Sequence, residues 1–239
     1  MSHGSENTFR FKQFEVRQES SAMKVGTDAV LLAAWTDMTG ANHILDVGTG
    51  TGVIALMCAQ KNAEASIEAI DIHEGSVDDA RFNFLQSPWK DRLKVYQGDF
   101  LKIVSGEKFD LIISNPPYFS QSLRAADPGR NAARHDDSLP ADAFLKLSKK
   151  LLLPDGKIAI IIPAIQLGRW IDEASPCGLF PRRICRVYTV AHKDPTRVMI
   201  EFGIGDSEEP KMESLLIERN AGEKTEAYKS LTSAFYLKW

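Results

Sequence analysis

Asn115-Pro116-Pro117-Tyr118 closes an apolar run from Phe109 to Ser114 and lies downstream of Asp46-Val47-Gly48-Thr49-Gly50-Thr51-Gly52. The order and separation of the two segments suggest methyl transfer to a planar amine. Either segment alone says less. Glycine-rich turns after strands are common, and two prolines after a strand can simply stop it, because proline donates no ladder hydrogen bond.

The glycine segment narrows the ligand. A P-loop needs Lys and then Ser or Thr after its last glycine, whereas Gly52 is followed by Val53-Ile54. The dinucleotide fingerprint GxGxxG carries its third glycine one residue later than the GxGxG of Gly48, Gly50 and Gly52, which disfavours NAD. Glycines here let the backbone turn sharply and approach a ligand closely at the carboxyl edge of a sheet. Asp71 ends the next apolar run, nineteen residues after Gly52. There a carboxylate can accept hydrogen bonds from both hydroxyls of a ribose, with Ile72 beside it. Asp99, in Gln97-Gly98-Asp99-Phe100, can accept from an adenine amine while Phe100 packs on the ring; its alternative role is a helix N-cap. With Asp46, Gly48 and Asp71 in register, the set suits an adenosine-bearing cofactor.

These residues need a frame. From His43 onward short apolar runs alternate with helix-length amphipathic stretches, the pattern of βαβ units around a parallel sheet. Strands are predicted near 43–47, 66–71, 92–96, 109–114 and 157–163, and helices over 52–61, 74–86, 139–152 and 165–174. Arg183 to Ala191 and Arg197 to Gly205 then read as two β-rich runs joined by the polar turn His192-Lys193-Asp194-Pro195-Thr196. The expected fold is α/β: a Rossmann-like, mostly parallel sheet with an antiparallel hairpin at one edge and helices on both faces. No repeat or long linker divides the chain, so 1–239 is expected as one domain. Its parts would be an N-terminal segment 1–35, a core 40–205 and a C-terminal extension 206–239. Tyr228, Leu231 and Phe235 fall at helical spacing and are expected in the core.

The 239 residues are 44% hydrophobic and 26% charged, enough apolar material for a full core. Met1 to Phe9 has no apolar stretch of the kind found in export signals, and no run approaches a membrane span, so the cytoplasm is the expected location. The three cysteines, Cys58, Cys177 and Cys185, lack CxxC spacing and argue for neither disulfides nor a metal site. A net charge of −3 gives no global sign of nucleic-acid binding. Local clusters do: Arg182, Arg183, Arg186, Lys193 and Arg197 lie close together, and Arg10, Lys12, Arg17 and Lys24 stud the N-terminal segment. Either set can be a phosphate-contacting surface or a solvated face.

The motifs resemble those of class I S-adenosylmethionine-dependent methyltransferases, and Asn115 to Tyr118 matches the Asn-Pro-Pro-Tyr motif of their amino-methylating branch. The flanks are more specific. Phe11-Lys12-Gln13-Phe14, the run Met23 to Leu32 with Trp35, Gln86-Ser87-Pro88-Trp89 and the tail Glu226 to Tyr236 resemble bacterial tRNA1(Val) adenine-N6 methyltransferases. The match runs nearly end to end and is weakest over 165–182. This resemblance implies S-adenosylmethionine as cofactor and, as substrate, the adenosine just 3′ of the anticodon in a valine tRNA, presented on its anticodon stem-loop. It implies that the Asn115 side-chain oxygen and the Pro116 carbonyl accept the two amine hydrogens, that Tyr118 stacks on the base, and that Pro117 stiffens the loop. It also implies a lid over the cofactor from Lys24-Val25-Gly26-Thr27-Asp28, and a reaction that needs no metal, covalent nucleophile, strong base or obligate protein partner.

The long segment from Phe119 to Pro140, with Arg124, Arg130 and Arg134, exceeds a structural connection and is a second candidate to grip tRNA. His135 in Arg134-His135-Asp136-Asp137 is read as a solvated loop residue. Three other functions remain open at this point. A release-factor glutamine methyltransferase shares the planar amide, but its extra N-terminal helical domain has no counterpart here. A non-catalytic RNA-binding protein would not need Asn115 and the glycines intact. An NAD-dependent oxidoreductase would need hydride-transfer residues that have no place in the sequence.

Overall fold

The central strands form where short runs are dominated by apolar residues, because a strand covered on both faces has little polar side to show. In the computed structural model, which describes residues 7–21, 23–103, 106–117, 139–206 and 209–238, these are β3 (His43–Val47), β4 (Ser66–Asp71), β5 (Leu93–Gln97), β6 (Phe109–Ser114) and β7 (Leu152–Pro163). Between and before them run α1 (Thr27–Trp35), α2 (Val53–Lys61), α3 (Glu74–Gln86) and α4 (Ala141–Leu151). A short 3-10 turn, Ala164–Gln166, leads into α5 (Leu167–Ala174). A small hairpin of β1 (Thr8–Arg10) and β2 (Glu15–Arg17) precedes this core. After it come β8 (Leu179–Val190), β9 (Arg197–Ile204), β10 (Lys211–Asn220), β11 (Glu223–Lys224) and α6 (Glu226–Thr232).

The nine strands of the main sheet lie in the order β11-β10-β8-β9-β7-β6-β3-β4-β5. From β5 through β7 the pairing is parallel; β9 is antiparallel to both β7 and β8. The α/β class is as expected and the hairpin is present, but the hairpin is not the edge. β10 pairs parallel to β8, and β11 lies outside it, so residues expected as an extension supply two further strands.

Side chains of successive strand residues point to opposite faces, and they feed two cores. Ala159 and Ile161 join α1, α2 and Tyr228 of α6 on one face. Ile158, Ile160 and Ile162 join α4 and α5 on the other. α1 is apolar on every side from Ala29 to Trp35 and all of these residues are buried. α4 instead buries one stripe, Phe144, Leu145, Ser148 and Leu151, and places Lys149 and Lys150 in its last turn, where they favour the helix dipole. Tyr228 and Phe235 are buried and Leu231 packs partly buried against the same core, as their spacing predicts. Phe11 bridges to Tyr236, so the turn between β1 and β2 is joined to the segment that follows α6.

Candidate active site

After β3 the chain winds outward to β4 and β5, then returns to place β6 on the opposite side of β3. Ligands bind outside the carboxyl ends of strands at such a reversal. The register brings the two motifs together: Val47 pairs with Ser114 across β3 and β6, so Gly48 and Asn115 are the first residues beyond adjacent strand ends. Val47 also pairs with Ile70, and Asp71 with Gln97. Asp99, Asp71, Gly48 and Asn115 thus follow one another along a single edge.

The glycine loop is built from below by Asp46. One of its carboxylate oxygens accepts from Thr49 Oγ1 at 2.6 Å and from the Ala55 N–H at 3.2 Å, in the first turn of α2. Its other oxygen is buried with no hydrogen-bond partner. Burial pushes the Asp46 carboxyl up to about 7, against the hydrogen bonds from Thr49 and Ala55 and with help from the charge of Asp71. Gly48, Gly50 and Gly52 all have positive φ, of 70°, 55° and 81°. Their reasons differ. A Cβ on Gly52 would stand 2.5 Å from the Phe84 ring, so this glycine serves helix packing. Gly48 has nothing within 4 Å of the same point, leaving its backbone open to a ligand.

Asp71 is buried, with one oxygen accepting the Gly50 N–H at 2.8 Å and the other the His73 N–H at 2.9 Å. Each carboxylate oxygen retains a second lone pair for a hydroxyl. Ile72 is 45% exposed beside it. Asp99 caps the short 3-10 turn Phe100–Lys102 through the Leu101 N–H at 2.9 Å and pairs with Lys102 at 3.1 Å. Phe100, expected on the base, is 4% exposed, with its ring 5.5 Å from that of Phe144.

At the other strand end Asn115 is half-buried, Pro116 buried and Pro117 exposed. Tyr118 lies outside the described residues, as do Arg124, Arg130, Arg134 and His135. Lys24, Gly26 and Thr27 are exposed at the start of α1, where Asp28 pairs with Arg197 at 2.7 Å. Arg183 is not a free surface cation either. It pairs with Glu201 at 3.0 Å and Glu213 at 3.2 Å and lies over the Trp35 ring at 4.3 Å. Cys58 and Cys185 are buried thiols, and Cys177 is half-buried. Among the described residues, no group of three His, Cys, Asp or Glu side chains is placed to hold a metal, and no helix is long and apolar enough to cross a membrane.

Two residues near the glycine loop are not marked as functional by the helical pattern of 74–86. Asp79 and Asn83 are buried on α3, and Asn83 donates to the Thr51 carbonyl at 2.9 Å. Their signal is a polar series, Ser76, Asp79 and Asn83, at helical spacing on the same stripe as Val77, Ala80 and Phe84.

Two neighbouring carboxylates beside open glycine backbone repel a pyrophosphate and suit a ligand with a cationic centre and a ribose diol. S-adenosylmethionine has both, so Asp46, Asp71 and the glycine loop fit it. Residues 20–167 match the family model of the methyltransferase small domain. The chain is 44% identical over 230 residues to a tRNA1(Val) (adenine(37)-N6)-methyltransferase from Bacteroides thetaiotaomicron, covering 96% of this chain and 97% of that one. A protein of the same name from Aliivibrio fischeri is 40% identical over 230 residues, with the same coverage of 96% and 97%. Among solved structures, a predicted O-methyltransferase from Agrobacterium tumefaciens aligns with a TM-score of 0.66 at 18% identity, over 87% of this chain and 96% of that one. An O-methyltransferase from neocarzinostatin biosynthesis, solved with S-adenosylmethionine and 2-hydroxy-5-methyl naphthoic acid, gives 0.53 at 16% identity, over 74% and 53%. At such identities the likeness is one of fold, whereas the two close relatives and the family model place this chain in the methyltransferase small domain family, among the tRNA1(Val) (adenine(37)-N6)-methyltransferases.

Proposed function

We propose that the protein methylates the exocyclic N6 amine of adenosine 37, 3′ of the anticodon, in a valine tRNA, with S-adenosylmethionine as donor. One observation supports this reading most: Gly48 and Asn115, read here as belonging to the cofactor loop and the amine-binding loop, stand side by side at the chain reversal of the sheet. The cofactor supplies an electrophilic methyl group. The remaining work falls to residues of the chain. Asp46, Asp71 and the glycine loop bind the cofactor, with Ile72 beside the adenine. An exocyclic amine is a weak nucleophile because its lone pair is delocalised into the ring. Asn115 Oδ1 and the Pro116 carbonyl accept the two amine hydrogens and turn that lone pair toward the methyl. Both bonds strengthen as the nitrogen becomes cationic, so positioning and electrostatics provide the acceleration. Tyr118 stacks on the splayed base, as expected where an enzyme acts on an unpaired nucleotide. A tRNA substrate places the reaction in the cytoplasm.

The test is incubation with labelled S-adenosylmethionine and total bacterial tRNA, followed by mass spectrometry of the nucleosides. N6-methyladenosine at the position 3′ of a valine anticodon is the expected product. Label in a release-factor glutamine would support the protein-methylating alternative, and label in neither would support a non-catalytic RNA-binding protein.

A further inference from the structure

Arg17 to Ser21, which lead from β2 toward α1, do not run free. They lie along α3, and two buried side chains of that helix hold them. One carboxylate oxygen of Asp79 accepts the backbone N–H groups of both Ser20 and Ser21 at 2.8 Å, and the other accepts from Arg17 Nε at 3.1 Å. Asn83, 2% exposed, accepts the Arg17 N–H at 2.8 Å and donates to the Arg17 carbonyl at 2.9 Å. The same amide nitrogen donates to the Thr51 carbonyl at 2.9 Å, within the glycine loop. A single side chain therefore ties the strap to that loop.

The fit is close on both sides of the strap. A Cβ on Gly75, in the first turn of α3, would stand 2.6 Å from the Ser20 carbonyl oxygen. Toward the crevice, Ser21 Oγ is the nearest atom, at 3.7 Å, to the point where Gly50 would carry a Cβ. Gly50 is also the residue whose N–H holds Asp71.

We propose that Asp79 and Asn83 are positioning residues for the cofactor, holding Arg17 to Ser21 against the glycine loop so that the strap is a preassembled wall of the crevice. The inference rests on the reading of that crevice as the S-adenosylmethionine site. A loose strap would be ordered only on binding, and the entropy lost then would subtract from affinity. A fixed strap has already lost it during folding.

The experiment has two parts. Without cofactor, the Ser20 and Ser21 amides should exchange slowly with deuterium in the parent protein and rapidly in Asp79→Asn and Asn83→Ala. Calorimetry should show S-adenosylmethionine affinity about tenfold weaker in both variants, the scale of one ordered, rotamer-rich group. At saturating cofactor, the KM for tRNA should stay within about twofold of the parent, since the strap is assigned to the cofactor side. Gly75→Ala leaves both side chains in place and displaces the strap sterically, so it should reproduce the affinity loss. Variants with lowered melting temperature but parental cofactor affinity would make α3 purely structural and overturn the proposal, as would rapid Ser20 and Ser21 exchange in the parent. A parent protein that binds no S-adenosylmethionine would overturn the reading of the crevice, and the proposal with it.

Discussion

In the proposed mechanism Asn115 acts on the amine, so Asn115→Ala should keep the fold and the cofactor affinity while losing methyl transfer by about 10²-fold or more, the usual effect of removing one preorganised hydrogen-bonding group. Single-turnover rates on tRNA, with calorimetry for the cofactor, check both halves; near-parental turnover would remove Asn115 from the chemistry. Asp46 makes a different prediction. Burial holds its carboxyl at about 7, and its Oδ1 is buried with no hydrogen-bond partner. A cationic ligand favours the charged form, so binding should expel a proton. With that titration point, about a tenth of the free protein carries the charge at pH 6 and about nine tenths at pH 8. Affinity for S-adenosylmethionine should therefore rise about tenfold over that interval and level off above it, and Asp46→Asn should flatten the profile. Calorimetry in buffers of different ionisation enthalpy would count the proton directly. A flat profile in the parent would separate Asp46 from the cofactor's charge.

At the scale of elements, the outer strands are fastened to the helical face by one partly buried network. Arg183 on β8 pairs with Glu201 on β9 and Glu213 on β10, while Glu213 accepts from Trp35 Nε1 on α1 at 2.7 Å. Glu201 also accepts the Asp37 N–H at 3.1 Å just after α1. Removing Glu201 leaves that N–H and Arg183 short of a partner, and Glu201→Ala should cost about 3 kcal/mol of unfolding free energy in urea. Glu213 adds a pH signature. Burial works to raise its carboxyl, but hydrogen bonds from Lys211, Trp35 and Arg183 outweigh it and hold the group at about 2, below its ordinary 4.5. A depressed carboxyl contributes stability that is present above its unfolded value and lost as pH falls. The loss should run from about 4.5 down to about 2. Glu213→Gln should flatten the unfolding free energy over that window, and an unchanged slope would assign acid unfolding to other groups.

At the scale of the whole molecule, the net charge of −3 means that tRNA must be met by a local surface. Strand register decides which basic residues can take part. Ser114, Ile160, Ile200 and Ile184 lie at one level across the sheet. Arg182 and Arg183 fall below that level, away from the edge that carries Asn115, and Arg182 donates to the Ile204 carbonyl at 2.9 Å. Arg186 lies above it, and both Arg186 and Lys193 of the hairpin turn are exposed. Ile165, 93% exposed just beyond the end of β7, shares this edge. Arg186→Ala with Lys193→Ala should weaken tRNA binding and reduce the slope of log affinity against log salt by about one per lost phosphate contact. Cofactor affinity should be unchanged. Parallel salt lines of equal height for variant and parent would eliminate the hairpin as the RNA surface.

What the sequence determined by itself was local. β3, β4 and β6 end where predicted because their mainly apolar runs stop at Gly48, after Asp71 and at Asn115, residues that turn or terminate a strand on their own chemistry. The glycine loop and the Asn-Pro-Pro segment were legible for the same reason. β10 was not: Lys211, Glu213, Glu218 and Asn220 make it read as a polar tail, and it is a strand only because β8 offers it a parallel edge. Phe100 is read from spacing as a ligand contact, and its packing on Phe144 is visible only in the fold. Arg183 looked like a surface cation until strand pairing set Glu201 opposite it. Asp79 and Asn83 gain their meaning from Arg17, Ser20, Ser21 and Thr51, all distant in sequence. Spacing along a chain reports which face a residue takes; which residues then meet across the sheet depends on long-range register, and only tertiary structure decides that.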